Sequence, residues 1–445
     1  MKTSKLFLGL LLISLPCFHL HAQFSVDGQY IQRSEFRNGF GRLIEDSADP
    51  FAFMGHRARL QAKYEMENFS FFMSVQDIRI FGSTPQVKAS DNFLSVHEAW
   101  ATAKIKENWK IKIGRQELNY DNFRFLGNLD WALQARAHDF LLFQHEKEDM
   151  KFHFGGGYNQ TSLALTDQPF FTPNQYKVAQ MARYENKWGK VSFSALFWND
   201  GREWQDIDAA TGEIRDRGVR YRSTIGIPTL KYNSGNSQVS AFYYHQFGED
   251  MSGFRNINAY NFSIAYNHTI PVNREEGKIW TLSAGLEHIS GDNARTLDNN
   301  AYNPLYGTNH LFNGYMDLFY VGGAHENMEG LEDYFIKSRY AFSKNLFFQA
   351  DYHLFYSNTE IFRIINDFSP TPPEGRYFGS ELDLTMGWIV NEAFSIQGGY
   401  SQFFATEVFT RKIQGVGNPK STQNWAYLML IFRPTMKNRF IGILL

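Results

Sequence analysis

The amino-acid sequence predicts an all-β protein, a single transmembrane antiparallel β-barrel of about 18 strands with short periplasmic turns and long extracellular loops. Three observations predict this fold class. Aromatic residues make up 17% of the 445 residues, yet the mean hydropathy is −0.40. Apolar and polar residues alternate along many segments, and short turns alternate with long loops. A large soluble β-sandwich or β-propeller is the alternative that the composition leaves open.

Residues 1–22 have the parts of a secretory signal peptide. Lys2 and Lys5 give it a positive start, an apolar stretch too short to cross a bilayer follows, and cleavage is expected near Ala22. Cys17 is the only cysteine of the sequence, so the mature protein would contain no disulfide. We therefore expect export to the outer membrane of a Gram-negative-type cell.

Strand-like alternation is clearest in residues 58–66, where every second residue is apolar. Arg57 and Arg59 belong to the opposite, polar set. Because successive side chains of a strand point to opposite faces, we expect the apolar set on the lipid and the polar set in the lumen. The same alternation occurs in residues 260–266, 280–287, 348–354 and 378–388, the last with Phe378 in the outward set.

One segment conflicts with this facing. In residues 69–81 the apolar set includes Val75, and its continuation would put Asp77 and Arg79 on the lipid. A β-bulge adds one residue to one strand, so we expect a bulge near Val75 to reverse the facing. Arg115 presents the same conflict on a later strand.

The predicted connections alternate between short polar turns and long loops. A barrel of roughly 16–18 strands is wide enough for an aqueous channel, and residues 23–445 are predicted to form one such barrel. The tail after about residue 435 would be an extra strand or a periplasmic extension. The long loops are expected near residues 38–53, 83–92, 120–138, 161–176, 200–220, 290–330, 359–375 and 407–421.

Residues 109–139 begin as a strand and continue into a long loop that carries its own charged and aromatic residues, among them Arg124, Asp130 and Trp131. Loops of this length and composition usually bind or gate rather than only connect strands. We therefore expect this loop to fold into or over the mouth of the barrel.

Six arginines and four acidic residues are the candidate site residues. Arginine keeps its charge and binds carboxylates through a rigid fork, so a lumen lined with arginines would select anionic solutes. The alternative is that ion pairs across the lumen only hold the barrel rigid. The predicted pathway arginines are Arg57, Arg59, Arg79, Arg115, Arg124 and Arg136, and their predicted acidic partners are Asp77, Glu98, Asp130 and Asp139.

Several of these residues occur in short motifs that follow one another along the chain. The motifs are Arg57-x-Arg59-Leu60, Gln76-Asp77-x-Arg79, Glu98-Ala99-Trp100, Gly114-Arg115-Gln116, Arg124-x-x-Gly127-x-x-Asp130-Trp131, Arg136-x-x-Asp139 and Gly379-Ser380-Glu381-Leu382-Asp383-Leu384. The ordered series resembles the alginate-export family of outer-membrane porins, over residues 25–433 and most densely in 54–140. Residues 145–330 contain no matching motif.

The resemblance implies a barrel with an arginine-rich, electropositive constriction through which an anionic polysaccharide leaves the cell. We expect a passive porin or export channel for anionic solutes, with a carboxylate-bearing polysaccharide or oligosaccharide such as alginate as substrate. The alternatives are a general anion or nutrient porin with another substrate, and a surface-recognition barrel without transport. Under the channel interpretation, replacing Arg57 and Arg59 together by alanine would lower anion selectivity without unfolding the barrel.

Other function classes receive less support. The formal net charge of −2 gives no basic surface for nucleic acid. Histidines such as His97 and His353 have no nucleophile motif beside them, so an enzyme, including a membrane-embedded hydrolase, is not predicted. Outer-membrane lipid is the expected surrounding; periplasmic export partners stay an open alternative that the sequence does not identify. No cofactor or metal is predicted, although the loop carboxylates Asp292 and Asp298 leave a Ca²⁺ site as an alternative to ordinary solvated loop residues.

Overall fold

The computed structural model contains, in its described residues, eighteen β-strands that close into one antiparallel barrel. β1 (Gln23–Asn38) pairs with β18 (Gln423–Phe432) to complete the closure. The predicted fold class is therefore confirmed. The predicted signal peptide lies outside the described residues and stays a prediction. The structure describes residues 23–88, 90–91, 93–170, 172, 175–293, 296–321, 329–361, 375–434 and 439–443.

Each strand pairs with the next along the chain. The remaining strands are β2 (Phe51–Glu65), β3 (Phe69–Ile80), β4 (Leu94–Lys106), β5 (Trp109–Gln116), β6 (His138–Lys147), β7 (Met150–Tyr158), β8 (Val178–Trp188), β9 (Val191–Ile207), β10 (Ile214–Ser234), β11 (Ser237–Glu249), β12 (Asn256–Asn273), β13 (Lys278–Ile289), β14 (Leu331–Ala341), β15 (Leu346–Tyr356), β16 (Tyr377–Ile389) and β17 (Phe394–Ala405). Short helical turns occur at Asn309–Leu311 and Val408–Ile413. No helix in the described part of the chain has the length and hydropathy needed to cross a membrane.

Long and short connections alternate, so that one end of the barrel carries the long loops and the other end the short turns. Two loops at the long-loop end determine the shape of the interior. L3 is the loop of residues 117–137 between β5 and β6, and L7 is the loop of residues 290–330 between β13 and β14. L3 and the described part of L7 within residues 301–320 fold back into the barrel.

The long loop expected at residues 200–220 is wrong. β9 and β10 stay paired as far as Ile207, which lies opposite Ile214. Asp208 then closes a tight connection by accepting the backbone N–H of Thr211 at 3.0 Å. The sequence of this region is polar and so has the composition of a loop, but paired strands that extend beyond the membrane have the same composition.

The alternation predicted for the wall is confirmed by exposure. Leu60 is 55% exposed on the outer face, whereas Arg57 is fully buried on the inner face. Phe378 is an exception, because a register shift between β15 and β16 next to Phe355 turns its side chain inward. There its ring packs beside Phe319 of L7 with 6.1 Å between centroids.

A bulge lies opposite Val75, but its extra residue belongs to β4 and not to β3 as expected. The ladder between β2 and β3 has no register shift, and the extra residue, His97, lies in β4. Asp77 and Arg79 therefore stay on the outer face of β3, close to the long-loop end. Arg115 likewise lies on the outer face, since it pairs with outward-facing positions of β4 and β6.

An apolar core fills the middle of the barrel, where L3 and L7 meet the wall. Phe125 of L3 stacks on Tyr244 of β11 with 5.5 Å between ring centroids, and Phe319 of L7 packs on Phe355 of β15 at 4.6 Å. The expectation that the loop within 109–139 folds into the barrel is confirmed. The expectation of a water-filled lumen is wrong for this middle layer, because buried aromatic side chains occupy it.

The tail beyond β18 also turns into the barrel. Ile441 is 3% exposed and is hydrogen-bonded to Gln397 on the inner face of β17. Both alternatives expected for the tail, an extra strand and a periplasmic extension, are therefore wrong for residues 439–443.

Candidate permeation pathway

Asp130 fastens L3 to the wall. Its carboxylate accepts hydrogen bonds from Arg57 of β2 at 2.6 Å and from Arg433, just after β18, at 2.7 Å. Both arginines also donate to Gln29 of β1 at 3.1 Å. Although desolvation opposes ionisation, the two guanidinium groups hold the pKa of Asp130 well below its usual value. Asp130 thus ties L3 to the seam where β1 closes the barrel.

Arg59 supports the same loop through a neutral partner. It donates to Gln76 at 2.6 and 3.0 Å, and Gln76 in turn donates to the backbone carbonyl of Gln134 in L3 at 3.0 Å. Arg57 and Arg59 are therefore buried attachment points of L3. We now expect their double replacement to act through the position of this loop.

Arg124 joins L3 to L7 and to the wall. Its side chain is fully buried and donates to Glu287 of β13 at 2.6 Å. Its remaining nitrogens donate to Asn313 at 2.8 Å and Asn309 at 3.3 Å, both in L7. A charge that is enclosed this completely is a fixed part of the structure and cannot serve a passing solute.

Acidic residues of β16 also hold L7 to the wall. Glu381 accepts the backbone N–H of Met316 at 2.7 Å, and Asp383 accepts that of Tyr315 at 3.3 Å. Both acids belong to the Gly379–Leu384 motif noted in the sequence. The motif residues that the structure brings into the lumen thus position loops.

Glu98 belongs to a small cluster where L3 leaves β5. It accepts hydrogen bonds from Trp100 and from the backbone N–H of Glu117, both at 3.1 Å. His97 bonds the Glu117 carboxylate at 2.8 Å, and Arg59 lies 4.0 Å from it. One imidazole and two carboxylates have metal-ligating chemistry, but protein donors already engage these oxygens and we assign no ion to them.

The other predicted charges form ion pairs on the outer face near the long-loop end. Arg79 donates to Asp77 at 2.8 Å and borders the entrance. Arg115 pairs with Asp139 at 3.0 Å, and their side chains are 42% and 53% exposed. Arg115 and Asp139 are therefore not brought to the lumen.

Above L3 and L7, at the long-loop end, lies an open cavity of about 760 Å³ that we call the vestibule. Its described lining includes Arg33, Arg37, Arg136 and Arg202, and its one acidic lining residue among those described is Asp317. Arginines therefore line the entrance in addition to the buried arginines that hold the loops of the middle layer.

Arg136 is the one predicted pathway arginine that faces the vestibule from L3. Its guanidinium donates to the backbone carbonyls of Gly307 at 2.9 Å and Gly127 at 3.4 Å. No carboxylate among the described residues lies within ion-pair distance of it. Burial lowers its pKa to about 10, so it remains charged at neutral pH.

Sequence reasoning missed three vestibule arginines. Arg33 and Arg37 lie on the inner face of β1, where they share the carboxylate of Glu35 at 2.8 and 2.9 Å. Their spacing of four residues along a strand is a usable signal, because positions an even number apart share a face. Arg202 was not recognised as a wall residue because residues 200–220 were predicted to be a loop, whereas it lies in β9.

A second cavity of about 320 Å³ lies on the other side of the two loops. It is lined by residues 121–123 of L3, residues 311–313 of L7, and Lys231 and Lys337 of the wall. Its described lining shares no residue with that of the vestibule. L3 and L7 therefore form a partition between the two cavities.

The carboxylates of L7 that were considered for Ca²⁺ binding lie beside the guanidinium of Arg255. Arg255 donates to Asp292 at 3.0 Å and also to the backbone carbonyl of Asp298. Because a guanidinium already neutralises this site, the calcium alternative receives no support from the structure.

Comparison with solved structures identifies the barrel type. Pseudomonas aeruginosa OccK3 (OpdO) is 12% identical, with a TM-score of 0.56 and coverage of 92% of this chain and 95% of that chain. OpdK of the same organism is 10% identical, with a TM-score of 0.55 and coverage of 92% and 98%. OccD3 (OpdP), also of P. aeruginosa, is 11% identical, with a TM-score of 0.55 and coverage of 92% and 90%. At such identities the likeness shows the shared fold.

Comparison with protein families gives a more specific result. No curated protein matches the chain significantly. The family described as alginate export matches residues 23–418, nearly the whole chain. This family and the porin-like barrel together indicate a non-enzymatic channel of the Gram-negative outer membrane. The chain belongs to the alginate export family.

Proposed function

We propose that this channel passes anionic solutes, and that its substrate is a carboxylate-bearing polysaccharide or oligosaccharide such as alginate. The observation that carries the proposal is Arg136, a charged vestibule residue with no carboxylate partner among the described residues. A substrate carboxylate reaching this guanidinium would form a charge-assisted hydrogen bond, which is stronger than a neutral one.

The charge balance of the vestibule supports an anionic ligand. Arg33 and Arg37 share one carboxylate, that of Glu35, so one positive charge of the three groups remains. Asp317 is engaged by His310, with 2.6 Å between its carboxylate and the imidazole. Excess positive charge in a concave site attracts polyanions and raises their local concentration, and several weak sites allow them to leave again.

Aromatic side chains in the same cavity support a carbohydrate. Phe40, Phe53 and Phe93 belong to the lining, and the guanidinium of Arg37 lies over the rings of Phe40 and Phe53 at 4.4 and 4.8 Å. The apolar C–H faces of a sugar ring pack on such rings while a carboxylate on the same sugar reaches an arginine. Apolar walls with a few placed polar groups are typical of ligand sites.

A small carboxylate is the second candidate, favoured by the partition. The vestibule and the lower cavity hold about 760 and 320 Å³, and both are small compared with a polymer. OpdK, which shares the fold, has been solved with vanillate.

A planar bilayer experiment with a salt gradient distinguishes the polysaccharide from the small carboxylate. Block of anion-selective current by oligouronates but not by vanillate supports the polysaccharide, the reverse supports the small carboxylate, and cation-selective current would contradict the proposal.

Replacing Arg136 by glutamine is expected to weaken block by oligouronates at least about tenfold, since a hydrogen bond to a charged group contributes about 1.5–3 kcal/mol. Glutamine retains a donor for the carbonyl of Gly307, so L3 should keep its position. The blocking constant would be measured in single channels. The matched control is Arg115→Gln on the outer face, which should leave block unchanged, and equal effects of both substitutions would exclude a role for Arg136.

A further inference from the structure

The tail inside the barrel, residues 439–443, is held by side chains of the wall; we call it the plug segment. The amide of Gln397 donates to the carbonyl of Ile441 at 2.7 Å and accepts its N–H at 2.9 Å. Ser395, two residues earlier on the inner face of β17, donates to the carbonyl of Arg439 at 2.7 Å. These bonds satisfy backbone groups that would otherwise be buried unpaired.

Apolar contacts carry the plug segment up to L3. The ring of Phe440 lies edge-on to Phe347 on the inner face of β15, with 5.1 Å between centroids. Gly442 adopts a φ of +68°, and a Cβ at this position would come 2.3 Å from a ring carbon of Trp131. Trp131 also lines the vestibule. The plug segment therefore lies directly beneath the vestibule floor.

We propose that the plug segment is a displaceable closure of the channel on its short-turn side, and that its departure opens a path beside the partition, from the space beneath Trp131 to the vestibule. The proposal does not depend on which anion is the substrate. Its structural basis is the difference between two kinds of attachment. L3 and L7 are held by buried charges of the wall, including Arg57 and Arg124. The wall side chains that hold the plug segment belong to a serine and a glutamine and are neutral. The one charged side chain of the segment, Arg439, donates among the described residues only to the backbone carbonyl of Arg433.

The plug segment also lies outside the strand ladder. The described pairing of β17 with β18 involves residues 394–403 and 423–432, so the segment can move without breaking an interstrand hydrogen bond. Gln397 is therefore the residue whose loss should release it. Gln402 on the same strand points outward, bonds Tyr400 at 2.9 Å and offers a matched control.

The test is the potassium chloride current of the refolded full chain in a planar bilayer. Gln397→Ala should raise the open fraction at least fivefold, as should Gly442→Val, whose side chain would collide with Trp131. Gln402→Ala should leave it unchanged. If both inner substitutions leave the open fraction at the wild-type value in a correctly inserted barrel, the proposal is wrong. Because no uronate is present, this outcome is separate from failure of the proposed substrate.

A chemical measurement tests the same proposal independently of current. Cys17, inside the predicted signal peptide, is the only cysteine in the sequence, so Ile441→Cys would introduce a single thiol into the mature chain. We expect it to react with a membrane-impermeant methanethiosulfonate at least tenfold more slowly than the thiol of the exposed-turn control Lys344→Cys. Adding Gln397→Ala should remove most of this protection. Reaction at the control rate in the otherwise unchanged barrel would overturn the proposal.

Discussion

Replacing Arg124 by alanine is expected to destabilise the folded barrel by roughly 3–5 kcal/mol, the usual effect of removing one partner from a buried ion pair. The substitution leaves Glu287 buried without its guanidinium, and Asn309 and Asn313 lose their donor. L3 and L7 would also lose the residue that joins them. The free energy of unfolding, from urea titration of barrel refolded in detergent or lipid, measures the effect.

Arg115→Ala is the control for this prediction. Its ion pair with Asp139 is about half exposed, and exposed pairs contribute roughly 0–1 kcal/mol. We therefore expect unfolding close to that of the wild type. If the two substitutions cost the same, the assignment of Arg124 as the link between the loops is incorrect.

Replacing Asp130 by alanine is the second large change that we expect. The carboxylate neutralises Arg57, which is fully buried, and Arg433, so its loss should again destabilise the barrel by about 3–5 kcal/mol. L3 would also lose one of its attachments to the wall, which should loosen its position in the partition. Single-channel records should therefore show larger and more variable conductance, together with the lower free energy of unfolding.

The outer pair again supplies the control, as Asp139→Ala should change neither the conductance nor the free energy of unfolding.

The pH dependence of the conductance gives a second test of the role of Asp130. Since its pKa in the folded protein is lowered, its stabilising contribution is present above the unfolded value of about 4 and is lost only as pH falls through the lowered value. The wild-type conductance should therefore be the same at pH 7 and pH 4. An increase in conductance between pH 7 and pH 4 would contradict the assignment of Asp130 as the carboxylate that fastens L3.

The strands were predictable because the lipid and the lumen impose opposite demands on alternate residues. Leu60 and Arg57 differ in exposure as their positions required. The bulge near Val75 was placed on the wrong strand, because the conflict at Asp77 and Arg79 can also be resolved by charges that stay on the outer face close to the long-loop end. Local pattern cannot separate these solutions.

The roles of the arginines were only partly predictable. The sequence shows that Arg57 faces inward, but not that a loop from another part of the chain reaches it with Asp130. Contacts such as that between Arg124 and Glu287 join distant parts of the sequence. An arginine that faces a water-filled lumen and an arginine that holds a loop occupy the same inward positions of an alternating strand. Only the three-dimensional contacts distinguish the two roles.

The apolar core inside the barrel also has a kinetic consequence. Closure pairs Tyr30 with Phe432, near opposite ends of the chain, and contacts of large sequence separation are slow to form. L3 and L7 must be dehydrated within the space that this closure encloses. We therefore expect refolding to be slow and to end with the joining of β1 and β18 around loops already in place, so that a barrel closed too early would trap water where the core belongs.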